Sequence, residues 1–196
     1  IRLENISEDD TCFMIHGNIL PTPKLIKALK KLRNGEFISA NGNTGVIFRF
    51  SKKEIQEPNK IKVSKAITIR HEIKSIQFPW DIFRLNDLAI RDDFNLLTEK
   101  RKSQKISKTN RVIKPGNIFI EKGANVEFCI LNASEGPIYI GRNSLVMEGA
   151  SIRGPFACGE GSVIKMNSRI YGATTIGPYC TAGGEIKNSI FFAYSN

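Results

Sequence analysis

Between Ile140 and Lys187 an apolar residue returns at every sixth position: Ile140, Val146, Ile152, Cys158, Ile164, Ile170, Ile176 and Ala182. All eight are apolar in a chain that is 41% apolar, a coincidence of roughly one in a thousand for a given phase. Four residues after each stands a second set, Ser144, Ala150, Phe156, Ser162, Ser168, Thr174, Cys180 and Ile186, most of them small. A longer period overlies the short one, because Ile140-Gly141-Arg142-Asn143-Ser144, Cys158-Gly159-Glu160-Gly161-Ser162 and Ile176-Gly177-Pro178-Tyr179-Cys180 follow one another at eighteen residues. Three hexads per eighteen residues describe a triangular parallel β-helix, each hexad being one short strand and a corner. Coils stack at a strand spacing of roughly 4.8 Å, so equivalent side chains form ladders. The aliphatic position is expected to fill the lumen and the small position to lie near a corner. Gly141, Gly159 and Gly177 are expected to supply corner angles that glycine adopts without steric cost.

Upstream the pattern changes. Asp10 to Asn18 reads as a buried strand running into a tight turn, a short apolar run closed by Gly17 as in a parallel strand of an α/β sheet. Leu25, Ile26, Leu29 and Leu32 share one helical face opposite Lys24, Lys27, Lys30, Lys31 and Arg33, with Thr22 as N-cap and Pro23 at the first position. Residues 36–40 and 44–50 predict two strands around the turn Asn41-Gly42-Asn43, and 61–69 a further strand. A helix is predicted over 80–98, with Ile82, Phe83, Leu85, Leu88, Ala89, Phe94, Leu96 and Leu97 available to pack. The basic stretch from Glu99 to Lys105 reads as a solvated connection. Residues 118–131 make a first, less regular coil, and 132–137 a turn before the regular repeat. The organisation is therefore 1–80, the later part of an α/β domain; 81–111, a helix and basic linker; and 112–196, a β-helix. The first residue is not Met and Asn196 falls inside a repeat, so the chain reads as a stretch of a longer protein.

Composition narrows the function classes. No run of about 18 apolar residues predicts a membrane span, and the first residues lack the apolar core of a signal peptide. Cys12, Cys129, Cys158 and Cys180 have no CxxC spacing, which suits buried thiols and a reducing, cytoplasmic location. The net charge of +10 comes largely from Lys24 to Arg33 and Glu99 to Lys114. Those lysines and arginines are not interleaved with aromatics, which favours solvated faces and an anionic small-molecule partner, such as a nucleotide or coenzyme A, over nucleic acid. His16 and His71 are the only histidines; neither has an orienting carboxylate nearby in sequence, so a hydrogen-bonded structural role competes with general-base chemistry for both.

Several strings carry a more specific signal: Ile118-Phe119-Ile120-Glu121-Lys122-Gly123-Ala124, Gly136-Pro137-Ile138-Tyr139-Ile140-Gly141, Met147-Glu148-Gly149, Ile152-Arg153-Gly154-Pro155-Phe156, Ile170 to Pro178, Gly183-Gly184-Glu185-Ile186 and Phe191 to Asn196. Together with Pro79-Trp80-Asp81-Ile82-Phe83 ahead of them, they resemble a bacterial sugar-nucleotidyltransferase-like family. That family carries a left-handed β-helix and is related to the bifunctional UDP-N-acetylglucosamine diphosphorylase/glucosamine-1-phosphate N-acetyltransferase. The resemblance implies an α/β domain followed by an all-β, left-handed parallel β-helix, assembly as a homotrimer, a sugar phosphate or sugar nucleotide as ligand, and acetyl-CoA as cosubstrate. It implies Mg²⁺ for nucleotidyl transfer, held by one Asp after a glycine at a strand end and by another in an Asp-Ile-Gly string. The matching positions here are Asn18, after Gly17, and Ser75-Ile76-Gln77, a departure that removes the anchors for the metal. The family's acetyl-transfer base, a His in a Lys-Gly-His string, would fall just beyond the position of Asn196. The resemblance leaves Arg153 and Lys165 as phosphate partners and Glu185 and Asn188 as sugar-hydroxyl partners. Arg153 and Lys165 equally suit a plain solvent-facing surface. Three functions follow: acetyl transfer to an amino-sugar phosphate, nucleotidyl transfer to a sugar 1-phosphate, or a non-catalytic trimeric scaffold.

Overall fold

The computed structural model describes residues 11–40, 44–51, 65–68 and 73–196. They fall into two compact units, Ile1–Gln77 and Phe78–Asn196.

In the first unit, β1 (Thr11–Ile15) is followed by α1 (Pro23–Leu29), β2 (Glu36–Ala40), β3 (Thr44–Ser51) and β4 (Lys65–Thr68), and the sheet order is β1-β3-β2-β4. The Thr22 hydroxyl caps α1 by accepting from the Leu25 amide at 3.2 Å, and Pro23 follows at the first helical position as expected. Leu25, Leu32, Ile38 and Ile47 form a small core. Strands β2 and β3 pair as an antiparallel hairpin with Ala40 opposite Thr44; the turn Asn41-Gly42-Asn43 lies outside the described residues. Of the strand expected over 61–69, Lys65–Thr68 is described and runs parallel to β2. His71 also lies outside the described residues. β1 differs from expectation. It pairs antiparallel with β3 and stands at one end of the four described strands, with Met14 and Ile15 half exposed. An apolar run states that a strand has something to bury, but neither the direction of its neighbour nor its rank in the sheet.

The second unit opens with α2 (Asp81–Thr98) and continues as a stack of short parallel strands. The last three coils show the rule. β10 (Leu145–Val146), β11 (Ser151–Arg153) and β12 (Phe156–Cys158) form one coil, β13 (Val163–Ile164), β14 (Arg169–Tyr171) and β15 (Thr174–Ile176) the next, and β16 (Thr181–Ala182), β17 (Glu185–Lys187) and β18 (Ile190–Phe191) the last. Before them come β7 (Asn125–Val126), β8 (Ile130–Asn132) and β9 (Ile138–Ile140). The stack begins earlier than 118–131, with β5 (Arg111–Ile113), which is followed by β6 (Ile118–Ile120). Strands from successive coils pair in register into three parallel sheets, the faces of a prism. The architecture is a left-handed parallel β-helix following an α/β unit.

All eight residues of the aliphatic ladder are buried, from Ile140 to Ala182. The second set is buried as well, Phe156 included, so both positions point inward. Ile186 changes sets, because it pairs with Ile170 and so belongs to the aliphatic ladder of the second face. The last coil is shorter, with Ile176 opposite Phe191 rather than a residue eighteen further on. Gly141, Gly159 and Gly177 do not have positive φ. They are required by space, since a Cβ on Gly159 would stand 2.5 Å from the Pro178 nitrogen of the next coil. The left-handed corners belong elsewhere. Asn143, Asn167 and Asn188 have positive φ, and a Cβ on the matching Gly149 of the preceding coil would sit 2.2 Å from the Asn167 Oδ1.

Helix α2 packs on the third face through polar and apolar groups. Asn86 and Ile90 are its buried residues, while Phe83, Leu96 and Leu97 stay exposed, contrary to the apolar list. Asn86 donates from Nδ2 to the Ala173 carbonyl at 2.8 Å and accepts from the Thr175 hydroxyl at 2.8 Å. The basic stretch after α2 is exposed but bonded to the coils: the Gln104 amide donates to the Ile120 carbonyl at 2.7 Å, and Arg101 pairs with Glu121. Burial pushes the Glu121 carboxyl up, but the hydrogen bonds from Arg101, the Tyr139 hydroxyl and the Arg142 amide outweigh it and hold the group below its ordinary value.

Two outcomes are expected. Ile164→Ala, at a site with no exposed surface, lowers unfolding stability by about 2–5 kcal/mol in a denaturant titration. For Glu121, a depressed folded value means that its stabilisation is present above the ordinary carboxylate value of 4.5 and is lost as pH falls through the folded one. The stability gap between wild type and Glu121→Gln is therefore expected to be full at pH 7 and to close on acidification.

Candidate functional site

Side chains alternate along a strand, so the residues flanking each inward aliphatic of the second face point outward. β5, β8, β11, β14 and β17 thereby present two outward columns. One holds Arg111, Ile130, Ser151, Arg169 and Glu185. The other holds Ile113, Asn132, Arg153, Tyr171 and Lys187. A cavity of about 570 Å³ opens on this face, walled by Glu135, Arg153, Arg169, Tyr171, Lys187 and Asn188.

The cavity has excess positive charge. Arg153 Nη1 lies 3.0 Å from Glu135 Oε1, and both side chains are more than half exposed, so this pair adds little stability and can be exchanged for another anion. The Tyr171 hydroxyl donates to Glu185 Oε1 at 2.7 Å. That hydrogen bond, then the carboxylate charge, raises the Tyr171 phenol above its ordinary value. Lys187 Nζ stands 5.7 Å from the centre of the Tyr171 ring and, like Arg169, has no carboxylate partner among the described residues. Two unpaired cations beside a paired arginine and an aromatic ring suit a phosphate attached to a hydroxyl-bearing ring.

The sequence-derived residues distribute unevenly over this geometry. Arg153 and Asn188 line the cavity, and Glu185 reaches it through Tyr171. Lys165 does not join them: it follows β13 at a corner, where its stem lies against Gly183. Arg153 and Lys165 are twelve residues apart, which is two hexads and therefore a different face; only an eighteen-residue stride returns to the same one. Asn188 has its Oδ1 committed, accepting from the Ala173 amide at 3.1 Å, which leaves Nδ2 for a ligand. Arg169, Tyr171 and Lys187 were not foreseen. The stride from Ser151 and Arg153 points to Arg169 and Tyr171, but the shortened last coil hides Lys187.

In the first unit Gly17 and Asn18 form a turn after β1. The Ile76 amide donates to the Asn18 carbonyl at 2.7 Å, and Ile19 bridges Ser75. The two positions at which the resemblance places metal-binding carboxylates are thus neighbours across two chain segments. Their donor set does not fit a divalent cation. Both side chains are neutral, and the Asn18 Oδ1 lies 2.7 Å from His16 Nδ1, which ties that histidine to a structural hydrogen bond. No group of three or more His, Cys, Asp or Glu suited to a metal occurs among the described residues. Burial pushes the Cys129 thiol up to about 11 and the Cys158 thiol up to about 12, which makes these two inert. No helix among the described residues is long and apolar enough to cross a membrane.

A family match, together with an α/β unit followed by a β-helix, fits a sugar-nucleotide-related transferase. The chain belongs to the sugar nucleotidyl transferase family, whose model it matches over residues 4–102. The match takes in the first unit and all of α2, and ends before the coils. No curated protein matches the chain.

Two measurements check this site. Inorganic phosphate is expected to raise the melting temperature of wild type, and Arg169→Ala and Lys187→Ala each to remove most of that rise, without lowering the ligand-free melting point. Mg²⁺ is expected to leave the wild-type first unit unchanged, whereas Asn18→Asp combined with Ser75→Asp creates Mg²⁺-dependent thermal stabilisation.

Proposed function

We propose that the intact protein containing this chain acts in sugar-nucleotide biosynthesis and that its β-helix transfers an acetyl group from acetyl-CoA to an amino-sugar phosphate. The observation behind this reading is the second-face cavity, where Arg169 and Lys187 lack carboxylate partners beside Arg153 and Tyr171. In it, Arg153, Arg169 and Lys187 hold the phosphate, Tyr171 flanks the sugar ring, and Glu185 and Asn188 Nδ2 meet sugar hydroxyls. Neither histidine of the chain lies in the β-helix, so these residues bind and orient rather than take the proton. A homotrimer built through the coils is the assembly that goes with this reading, and UDP-N-acetylglucosamine is the sugar nucleotide it would serve.

The family match over the first unit favours a second reading, nucleotidyl transfer to a sugar 1-phosphate. The neutral donors at Asn18 and Ser75 count against it, because the reaction needs Mg²⁺ to offset the charge of the transferring group. The deciding experiment runs both reactions on the intact protein. Thiol release from acetyl-CoA with glucosamine 1-phosphate, reduced at least tenfold in kcat/KM by Arg169→Ala, is the expected result. Pyrophosphate release from UTP without thiol release would replace the first reading with the second. Silence in both would leave a binding scaffold.

A further inference from the structure

The second-face cavity does not end at its corner. A second cavity of about 500 Å³ continues from it toward α2, and the two share Glu135, Gly172 and Asn188 as a common rim. The far wall is α2 itself, which contributes Arg84, Asp87 and Arg91. Residues three and four apart share a helix face, so these three stand in one row. The wall is fixed in place. Asn86 pins the helix to Ala173 and Thr175, and Arg91 Nη2 donates to the Glu135 carbonyl at 2.7 Å. Arg91 is also forked onto Asp87, at 2.6 and 3.2 Å, and this hydrogen bond raises its already high value. Arg84 is different. Its side chain makes no ion pair or hydrogen bond among the described residues.

One compartment therefore carries two unpaired cations, Arg169 and Lys187, and the other carries one, Arg84. The Glu135 carboxylate, paired with Arg153, stands between them. A diphosphate lying across the rim would meet that carboxylate. Two separate phosphates, one at each end with uncharged groups between, would not. We propose that the α2 compartment is a second phosphate subsite, which takes the 3′-phosphate monoester at the nucleotide end of the acyl donor while the sugar phosphate occupies the coil face. This inference rests on the acetyl-transfer reading for the identity of its ligand. The two substrates would then approach each other over Glu135 and Asn188, and α2, inside the family-matched part of the chain, would belong to the site of the β-helix. A phosphate monoester is the shared chemistry, and its other source is a second phosphate on the sugar itself.

The test titrates the intact protein with adenosine 3′,5′-bisphosphate and with glucosamine 1-phosphate, separately and together, by calorimetry. Both are expected to bind without competing. Arg84→Ala is expected to weaken the nucleotide about tenfold or more and leave the sugar phosphate unchanged, Arg84→Lys to recover part of the loss, and Arg169→Ala to show the opposite selectivity. Competition between the two ligands, or nucleotide binding indifferent to Arg84→Ala, overturns the subsite. A glucosamine 1,6-bisphosphate that depends on Arg84 while the nucleotide does not would overturn the donor assignment and give the subsite to the sugar. Failure of glucosamine 1-phosphate alone would sink the acetyl-transfer reading, with the nucleotide arm still deciding whether Arg84 holds phosphate.

Discussion

The narrow lumen of the β-helix is the constraint on which the rest of the second unit depends. Each coil can place only a few side chains inside, and those must match the coils above and below, so Ile152 stacks on Ile170 and Ile140 on Cys158. Close packing of this kind tolerates neither a slip nor an insertion inside a strand, because a one-residue shift would turn the buried set outward. The outer faces are set by the same rule. Arg169 and Tyr171 point outward because Ile170 between them points in, and Arg153 joins their face because Ile152 is in register with Ile170. The outward charges and the aromatic ring are thus set by lumen packing and displayed on a surface that the core holds rigid.

Corners do a different job. At Gly141, Gly159 and Gly177 the backbones of successive coils approach too closely for any side chain. At Asn143, Asn167 and Asn188 a left-handed residue turns the chain, and its amide side chain covers a glycine of the coil before. Asn short-circuits the usual cost of positive φ by local hydrogen bonding. Asn188 turns the chain and lines a cavity at once: its Oδ1 accepts from the Ala173 amide while the residue walls the second-face cavity. The short final coil brings Lys187, rather than a residue two positions on, to the end of the outward column.

In the first unit, Asn18 and Ser75 place neutral side chains where the resemblance expects carboxylates. The segments carrying these residues remain hydrogen-bonded neighbours, and family membership is carried by this part of the chain. Asn and Ser at these positions can still hydrogen-bond but offer no electrostatic attraction for a hard dication.

The sequence by itself determined the β-helix, its phase and its inward residues, because a hexad repeated over many coils leaves one register that buries every aliphatic side chain. It also determined the Thr22 cap of α1 and the hairpin of β2 and β3, both of which rest on contacts between near neighbours. Only the tertiary structure decided which outward residues share a face. Arg153 and Lys165 look alike in the hexad but differ in the eighteen-residue stride, and the shortened last coil places Lys187 by a spacing that no repeat predicts. Tertiary structure alone also showed that Gly159 answers to crowding rather than to dihedral angles, that β1 runs antiparallel at the end of its described sheet, and that α2 docks through Asn86. Each of these depends on what lies opposite a residue in space, and local pattern carries no record of that.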